Sequence, residues 1–332
     1  MSGKKDIDYL FISAKIKAME NLILTRERME RMLEAKTVED AAKVLTECGY
    51  GDFTKVSVAT IEEKLHEMRT ELYQDLYSDM PEVGIIDVFR IKFDYHNIKV
   101  ILKSNFDDDK CERLLVDAGT IPVAELKDML FNMDSQQLSS SISYAVVRAR
   151  EVLAVTYDPQ LADLILDKAC YSQMLAAAEK TGSKFLIGFV RISIDAINLR
   201  TAIRGLRMNK DMDFIKNTLI PGGEISPDSV ILAAGTGGNF EALYAYGELA
   251  EAAEVGSSII KGGRMTEFEK LCDNAIMKYL DGAKFTAFGE QAVVGYLYAK
   301  EAEFSAVRII MTGRLAGIEP DVIRERLREA YV

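Results

Sequence analysis

Proline, histidine and tryptophan are scarce or missing in this 332-residue sequence. It contains 6 prolines among 332 residues, which is well below the usual proline content of about 5%. Proline interrupts helices because it lacks a backbone N–H group, so its scarcity favours long helices. Apolar residues make up 48% of the chain, which is enough to build a buried core. We therefore predict an all-α fold.

Long apolar runs are also missing. No stretch of about 18 apolar residues occurs, so we predict no transmembrane segment. The N-terminus, MSGKKDID, is charged and lacks the apolar core of a signal peptide. The formal net charge of −11 argues against nucleic-acid binding, which depends on a basic surface. These features predict a cytoplasmic protein.

The cysteines do not form a metal or redox motif. No two of them lie within four residues of each other, so the sequence has no CxxC pair. We interpret them as reduced and mostly buried thiols, typical of cytosolic proteins. The four residues are Cys48, Cys111, Cys170 and Cys272.

The sequence shows no catalytic, metal or cofactor motif. His66 completes a Glu-x-x-His pattern with Glu63, but a di-iron bundle needs two such patterns, and His96 does not supply the second. The GTGG segment at 235–238 matches neither a P-loop nor a dinucleotide-binding motif. We interpret it as a helix-ending turn. We therefore predict no metal, no cofactor and no directly bound nucleotide.

The most informative feature is a motif that occurs three times. It reads DYHNIKVILKS at 94–104, DAINLRTAIRG at 195–205 and EFSAVRIIMTG at 303–313. The period of about 100 residues is longer than that of common helical-repeat scaffolds. Each copy begins with an acid and has a base five residues later. Asparagine lies between them in the first two copies, but the third has Ala306.

A second landmark follows each motif copy. It is a turn and a helix start, at 118–130, 222–234 and 316–327, each with a proline near the first helical position. The N-terminal segments FISAKIKAMENLIL and LTRERMERMLEAK resemble the end and the beginning of such a unit. The two chain ends could therefore pair and close the series. The landmark prolines are Pro122, Pro227 and Pro320.

Local patterns also indicate where helices begin. Ser226 is a candidate N-cap residue because its side chain can accept a hydrogen bond from a free backbone N–H. Thr37 with Asp40, and Thr60 with Glu63, resemble capping boxes.

Two groups of residues are candidates for a functional role. We interpret the acid and asparagine positions as structural, because a role in every repeat suits helix packing better than catalysis. These residues are Asp94, Asn97, Asp195, Asn198 and Glu303. Basic residues near the motifs form either a solvated face or a docking surface for acidic partner groups. These candidates are Lys99, Lys103, Arg191, Arg200, Arg204, Arg207 and Arg308.

With these motifs in order, the whole chain resembles the C subunit of the A-type and bacterial V/A-type rotary ATPases, which is related to the d subunit of the eukaryotic V-type ATPase. The resemblance rests on AKIKAMENLIL, the three motif copies and the tail GIEPDVIRERLREAYV. It implies three similar helical domains in a pseudo-threefold funnel. We place them approximately at 1–115, 116–218 and 219–332.

The resemblance also implies a function. Members of this family have no catalytic activity. They seat the central shaft, made of the D and F subunits, on the cytoplasmic face of the membrane proteolipid ring. They rotate with the ring and transmit torque for ATP-driven ion transport or ATP synthesis. The alternatives are a free-standing helical-repeat scaffold that binds other proteins and a helical enzyme without a recognisable motif.

Overall fold

The computed structural model describes residues 6–53, 55–104, 112–131, 138–284, 286 and 288–328. Within these ranges every regular element is a helix and no strand occurs, which confirms the all-α fold. A 3₁₀ helix covers Asp6–Tyr9. None of the described helices is long and apolar enough to cross a membrane. The α-helices are α1 (Leu10–Glu20), α2 (Arg26–Glu34), α3 (Val38–Glu47), α4 (Val58–Asp79), α5 (Gly84–Lys103), α6 (Val123–Phe131), α7 (Ser140–Thr156), α8 (Pro159–Thr181), α9 (Lys184–Arg207), α10 (Met212–Thr218), α11 (Pro227–Gly235), α12 (Phe240–Leu243), α13 (Ala250–Ile259), α14 (Met265–Lys284), α15 (Glu290–Leu315) and α16 (Pro320–Arg324).

Capping side chains determine where several of these helices begin. Thr25, Thr37 and Ser226 each accept a hydrogen bond from the backbone N–H three residues later. These short polar side chains satisfy N–H groups that have no partner inside the helix. The capping box expected at Thr60 is wrong by one turn. Ser57 caps α4, and Thr60 is the third helical residue, bonded reciprocally to Ser57.

A set of four helices recurs three times along the chain. Each set begins with a nine-residue helix: α2, α6 or α11. A second helix comes next (α3, α7 or α13), and in the third set the four-residue α12 precedes it. Two long helices complete each set (α4 with α5, α8 with α9, α14 with α15). We call these the first, second and third helix sets. The domain boundaries drawn from the sequence stay predictions.

The last helices of the three sets meet through aromatic side chains. Phe89 of α5 stacks on Phe189 of α9, with ring centroids 5.1 Å apart. Phe189 also meets Tyr298 of α15 edge to face at 5.7 Å. Such pairs add about 0.5–1.5 kcal/mol to the effect of burial alone. The three sets therefore share one continuous hydrophobic core.

The two ends of the chain lie against each other, as the partial motifs suggested. Helices α1, α2 and α3 pack on α15, and α16 packs on α2. Arg324 of α16 pairs with Glu30 of α2 at 2.8 Å. Arg314 Nη1 of α15 donates to the Leu33 carbonyl oxygen at 2.5 Å. The first and third sets are thus joined by contacts between segments that are far apart in sequence.

The position of helix α16 shows that one of the three predicted landmark segments, 316–327, was matched to the wrong helix. The sequence aligned 316–327 with 222–234, but the end of α15 repeats the end of α9. The Lys210 N–H donates to the Gly205 carbonyl, and the Ile318 N–H donates to the Gly313 carbonyl, both at 2.9 Å. These pairs place α16 in the position that α10 has after α9.

Side-chain packing supports the same correction. A Cβ atom on Gly205 would overlap Ile215 of α10, and one on Gly313 would overlap Ile323 of α16. The shared proline at the start of α11 and α16 caused the error, because proline suits the first turn of any helix. The nine-residue helix that packs on the third motif is α2, from the other end of the chain.

Candidate functional site

The first motif ties α5 to the segment that leads into α6. Asn97 Nδ2 donates to the Val116 carbonyl at 2.8 Å, and the Val116 N–H donates back to Asn97 Oδ1 at 2.9 Å. Asp94 accepts hydrogen bonds from the Ile121 N–H at 3.1 Å and the Thr120 hydroxyl at 2.5 Å. Asp94 and Asn97 are fully buried. These side chains therefore satisfy backbone groups that water cannot reach.

The second motif repeats this arrangement on α9. Asn198 exchanges two hydrogen bonds with the backbone of Ile220, at 2.7 and 2.8 Å. Asp195 accepts from the N–H groups of Glu224 at 2.9 Å and Ile225 at 3.2 Å. The same side-chain pair thus orients the segment before α11. Both side chains form their hydrogen bonds with backbone groups of the protein itself.

Glycine is required beside each of these carboxylates. A Cβ atom on Gly119 would overlap Asp94, and one on Gly223 would overlap Asp195. Burial raises the pKa of both aspartates to about 6, against the hydrogen bonds that favour the charged form. The two sites therefore have matching geometry and matching electrostatics.

The third motif uses different chemistry for the same purpose. Glu303 of α15 accepts from the Leu24 N–H at 2.9 Å, the Tyr50 hydroxyl at 2.6 Å and Lys300 Nζ at 2.5 Å. Leu24 directly precedes the N-cap of α2, so the N-terminal segment takes the position that 121 and 225 have in the other copies. Ala306 replaces the asparagine and makes no side-chain hydrogen bond. A buried charge cluster therefore joins the first and third sets.

Three basic residues connect the helix sets in cyclic order. Each lies on the last helix of one set and pairs with an acid on the first long helix of the next. We call these contacts the first joint (α5 with α8), the second joint (α9 with α14) and the third joint (α15 with α4). The pairs are Lys99 with Asp167 at 2.5 Å, Arg200 with Asp273 at 3.0 Å, and Arg308 with Glu62 at 2.6 Å.

A second ion pair lies one helical turn away in two of the joints. Lys103 pairs with Asp163 at 3.0 Å in the first joint. Arg204 pairs with Glu269 at 2.6 Å in the second. In the third joint both members differ, because the corresponding residues are Thr312 and Val58. The third joint therefore has neither the basic nor the acidic member of the second pair.

The two remaining basic candidates also have partners within the chain. Arg191 pairs with Glu224 at 2.9 Å. Arg207 Nη1 donates to the carbonyls of Gly263 at 2.9 Å and Ile259 at 3.3 Å. All seven predicted docking residues are therefore placed in intramolecular contacts, most of them between helix sets. Their role in docking stays a prediction.

Sequence patterns gave no sign of a further ion pair across the third joint. Arg69 of α4 is 6% exposed and donates to Glu301 of α15 at 2.9 Å. Its guanidinium also lies 4.9 Å from the ring centroid of Phe304 and 5.4 Å from that of Phe93. The two partners are 232 residues apart in sequence, so no local spacing could have revealed them. Only the fold brings them together.

The histidines and glycines take ordinary structural positions. His96 shares a hydrogen bond with the Leu114 carbonyl at 2.8 Å, and burial lowers the pKa of His66. Helix α11 ends at Gly235, and Gly237 and Gly238 follow with φ angles of 96° and 79°. This is the helix-ending turn predicted from the sequence. No cluster of metal-ligand side chains occurs among the described residues.

Each helix set contains one buried cysteine thiol: Cys48 follows α3, Cys170 is in α8 and Cys272 is in α14. Burial raises the pKa of all three thiols. The pKa of Cys170 and of Cys272 is raised to about 12. These three thiols are free and buried, as predicted. The remaining predicted thiol, Cys111, lies outside the described residues.

Comparison with known proteins gives consistent matches over nearly the whole chain. It matches the family described as ATP synthase (C/AC39) subunit over residues 12–326. The C subunit of a V-type sodium ATPase from Enterococcus hirae is 21% identical, covering 98% of this chain and 99% of that protein. The C subunit of an A-type ATP synthase from Thermococcus kodakarensis is 24% identical, covering 97% and 90%. The one from Methanocaldococcus jannaschii is 23% identical, covering 96% and 86%.

The helical fold and these full-length matches define a helical subunit of a V/A-type ATPase complex. The chain belongs to the ATP synthase (C/AC39) subunit family. The resemblance seen in the sequence motifs is thereby confirmed.

Proposed function

We propose that this chain is the non-catalytic rotor adaptor of a V/A-type ATPase. In this role it seats the central shaft of the D and F subunits on the cytoplasmic face of the proteolipid ring. It lies at the membrane through the complex and transmits torque for ion transport or ATP synthesis. The observation that carries this proposal is the family match over residues 12–326, together with relatives that are named as ATPase subunits along their full length.

The cyclic order of the joints suits a part that transmits torque. A force on one helix set passes to both neighbours, because the first, second and third joints form a closed series. The stacked rings of Phe89 and Phe189 and the edge contact of Tyr298 link the same three sets at their last helices. Dense side-chain packing makes such a core stiff.

The acidic side chains that could have served as catalytic groups form hydrogen bonds that hold the fold together. The acidic residues of the three motifs bind backbone N–H groups, Tyr50 or Lys300 inside the protein. Their hydrogen-bonding capacity holds segments in place, which supports a non-catalytic role.

A reconstitution experiment tests the adaptor role directly. The D–F shaft and the proteolipid ring are mixed in detergent with and without the chain and then separated by size. We expect a shaft–chain–ring complex only when the chain is present, and no ATP hydrolysis by the chain alone. Shaft and ring that associate equally well without it would contradict the proposal.

We further propose that the basic residues near the second joint contribute to docking. Arg204 is suited to this because 55% of its side chain is exposed. Exchanging the pair, Arg204→Glu with Glu269→Arg, keeps the ion pair but moves the positive charge from α9 to α14. We expect weaker complex formation. The matched control exchanges the exposed pair on α7, Arg148→Glu with Glu151→Arg. Equal binding by both exchanged variants would exclude the docking role of Arg204.

A further inference from the structure

The third joint differs from the other two in its ion pairs. The first and second joints each have two pairs, one turn apart along the same two helices. In the third joint, Arg308 and Glu62 form the single pair at these positions. Thr312 instead donates its hydroxyl to the Arg308 carbonyl at 2.6 Å, and Val58 is 51% exposed.

The third motif also lacks the buried amide that the first two motifs have. Asn97 and Asn198 each exchange two hydrogen bonds with a backbone segment, whereas the third motif has Ala306. A cavity of about 340 Å³ lies between this motif and α14, lined among others by Leu24, Ala306 and Asp273. Side chains that line a cavity lose packing contacts on that side.

Charged side chains also connect the first and third sets: Arg69 pairs with Glu301, Arg324 pairs with Glu30, and Arg314 donates to the Leu33 carbonyl. The Arg69 side chain is buried, and so is Glu303 with its ion-pair partner Lys300 on α15 itself. Removing charges from water offsets most of their mutual attraction, so buried pairs are weak evidence for stability. We expect these contacts to select which segments meet more than to set how firmly they are held. In addition, the helix that packs on this motif, α2, comes from the opposite end of the chain.

We propose that, of the three joints formed by the described helices, the third opens first and as a unit. There α4, together with α2 and α3, separates from α15 while the first and second joints stay closed. The inference rests on the comparison of the three joints and does not depend on the proposed function.

The chain carries its own probes for this opening. Cys48 follows α3 and lies two residues before Tyr50, whose hydroxyl donates to Glu303 of α15 at 2.6 Å. Cys170 lies on α8 of the first joint and Cys272 on α14 of the second. All three are at most 4% exposed, so each thiol reacts only after local opening. The rate of labelling by a thiol reagent therefore reports on the three joints separately.

The experiment uses the full chain with Cys111→Ser, labelled with iodoacetamide under native conditions and followed by mass spectrometry. We expect Cys48 to react before Cys170 and Cys272. Reaction of either of the other two before Cys48 would overturn the proposal.

A pair of substitutions separates joint opening from fraying of α3. Val58→Glu with Thr312→Arg supplies the missing second ion pair. We expect Cys48 labelling to slow about 1.4-fold to fivefold, the range expected for an exposed pair, with no change at Cys170 and Cys272. The single variants are measured alongside, because an acid at the start of α4 has a helix-dipole effect of its own.

The matched control gives the first joint the composition of the third. Lys103→Thr with Asp163→Val removes its second pair, so Cys170 should react faster while Cys48 is unchanged. If the double variant at Val58 and Thr312 slows Cys48 no more than its singles combined, local fraying explains the labelling and the proposal is wrong.

Discussion

Replacing Asn198 by alanine should destabilise the protein strongly. The asparagine is fully buried and exchanges hydrogen bonds with both the N–H and the C=O of Ile220, at 2.8 and 2.7 Å. Ile220 is itself 2% exposed, so water cannot replace the lost partner. A buried polar group without a partner costs about 1–3 kcal/mol, which gives about 2–6 kcal/mol for the two groups.

Urea unfolding followed by circular dichroism measures this loss. Hydrogen exchange of the 219–225 segment shows where it occurs, and we expect faster exchange there than elsewhere. Asn97→Ala removes the equivalent amide of the first motif and should act in the same direction. The control is Asn217→Ala on the exposed side of α10, which should change the free energy of unfolding by less than about 0.5 kcal/mol.

An Asn198→Ala variant that behaves like this control would contradict the prediction. A change of less than about 1 kcal/mol would lie below the lower bound for the two stranded groups. It would show that the 219–225 segment is held by its apolar contacts and that the buried amide is not needed.

Three further predictions concern the motifs. Gly223→Ala should lower the free energy of unfolding by about 1–3 kcal/mol, measured by thermal denaturation, because the methyl group would overlap Asp195. Asn209→Gly should stabilise by less than about 1 kcal/mol in the same assay, because Asn209 has a φ angle of 51°. The pKa of Asp94 and Asp195 is raised to about 6, so their contribution to stability is complete below the ordinary carboxyl pKa and is lost as the pH rises through about 6. The free energy of unfolding of the wild type should therefore fall across this pH range. In the Asp94→Asn, Asp195→Asn double variant this fall should be absent.

Specific results would contradict each of these predictions. Wild-type stability of Gly223→Ala would mean that the loop moves aside without penalty. A destabilised Asn209→Gly would assign its side chain an unseen structural role. A difference between the wild type and the double asparagine variant that does not vary between pH 4 and 7 would show that the aspartates ionise normally in the folded protein.

The sequence predicted the fold class and the repeated motif because both depend on local patterns. Scarce proline indicated helices, and the Asp–Asn spacing marked one face of α5 and of α9. The hydrogen-bond partners could not be read in the same way. Asn97 and Val116 are 19 residues apart, and no periodicity connects a helix position to a loop carbonyl.

The landmark helices show where local similarity misleads. Pro227 and Pro320 begin helices in the same manner, yet α11 and α16 take different positions relative to the preceding long helix. A capping signal states that a helix begins but not what it packs against. The glycine contacts of Ile215 and Ile323 carry that information, and they appear only in three dimensions.

The acids that pair with the basic residues were equally hidden. Nothing in the sequence distinguishes these acids from other charged residues on helix surfaces. Only the fold places them opposite the basic residues, as the pairs Lys99 with Asp167, Arg200 with Asp273, and Arg308 with Glu62. The sequence does show that a base recurs at one position of each motif. That this base contacts the neighbouring helix set can be seen only from the packing of the long helices.

The contact between Glu303 and the Leu24 amide has a consequence for how the protein is made. The two residues are 279 positions apart. At about 5–20 residues per second of synthesis, the first helices leave the ribosome about 14–56 s before their partner. During that time Met29, Met32 and Leu33, buried in the finished protein, have no α15 to cover them. The nascent chain therefore has to keep an apolar surface from aggregating until its last helices arrive.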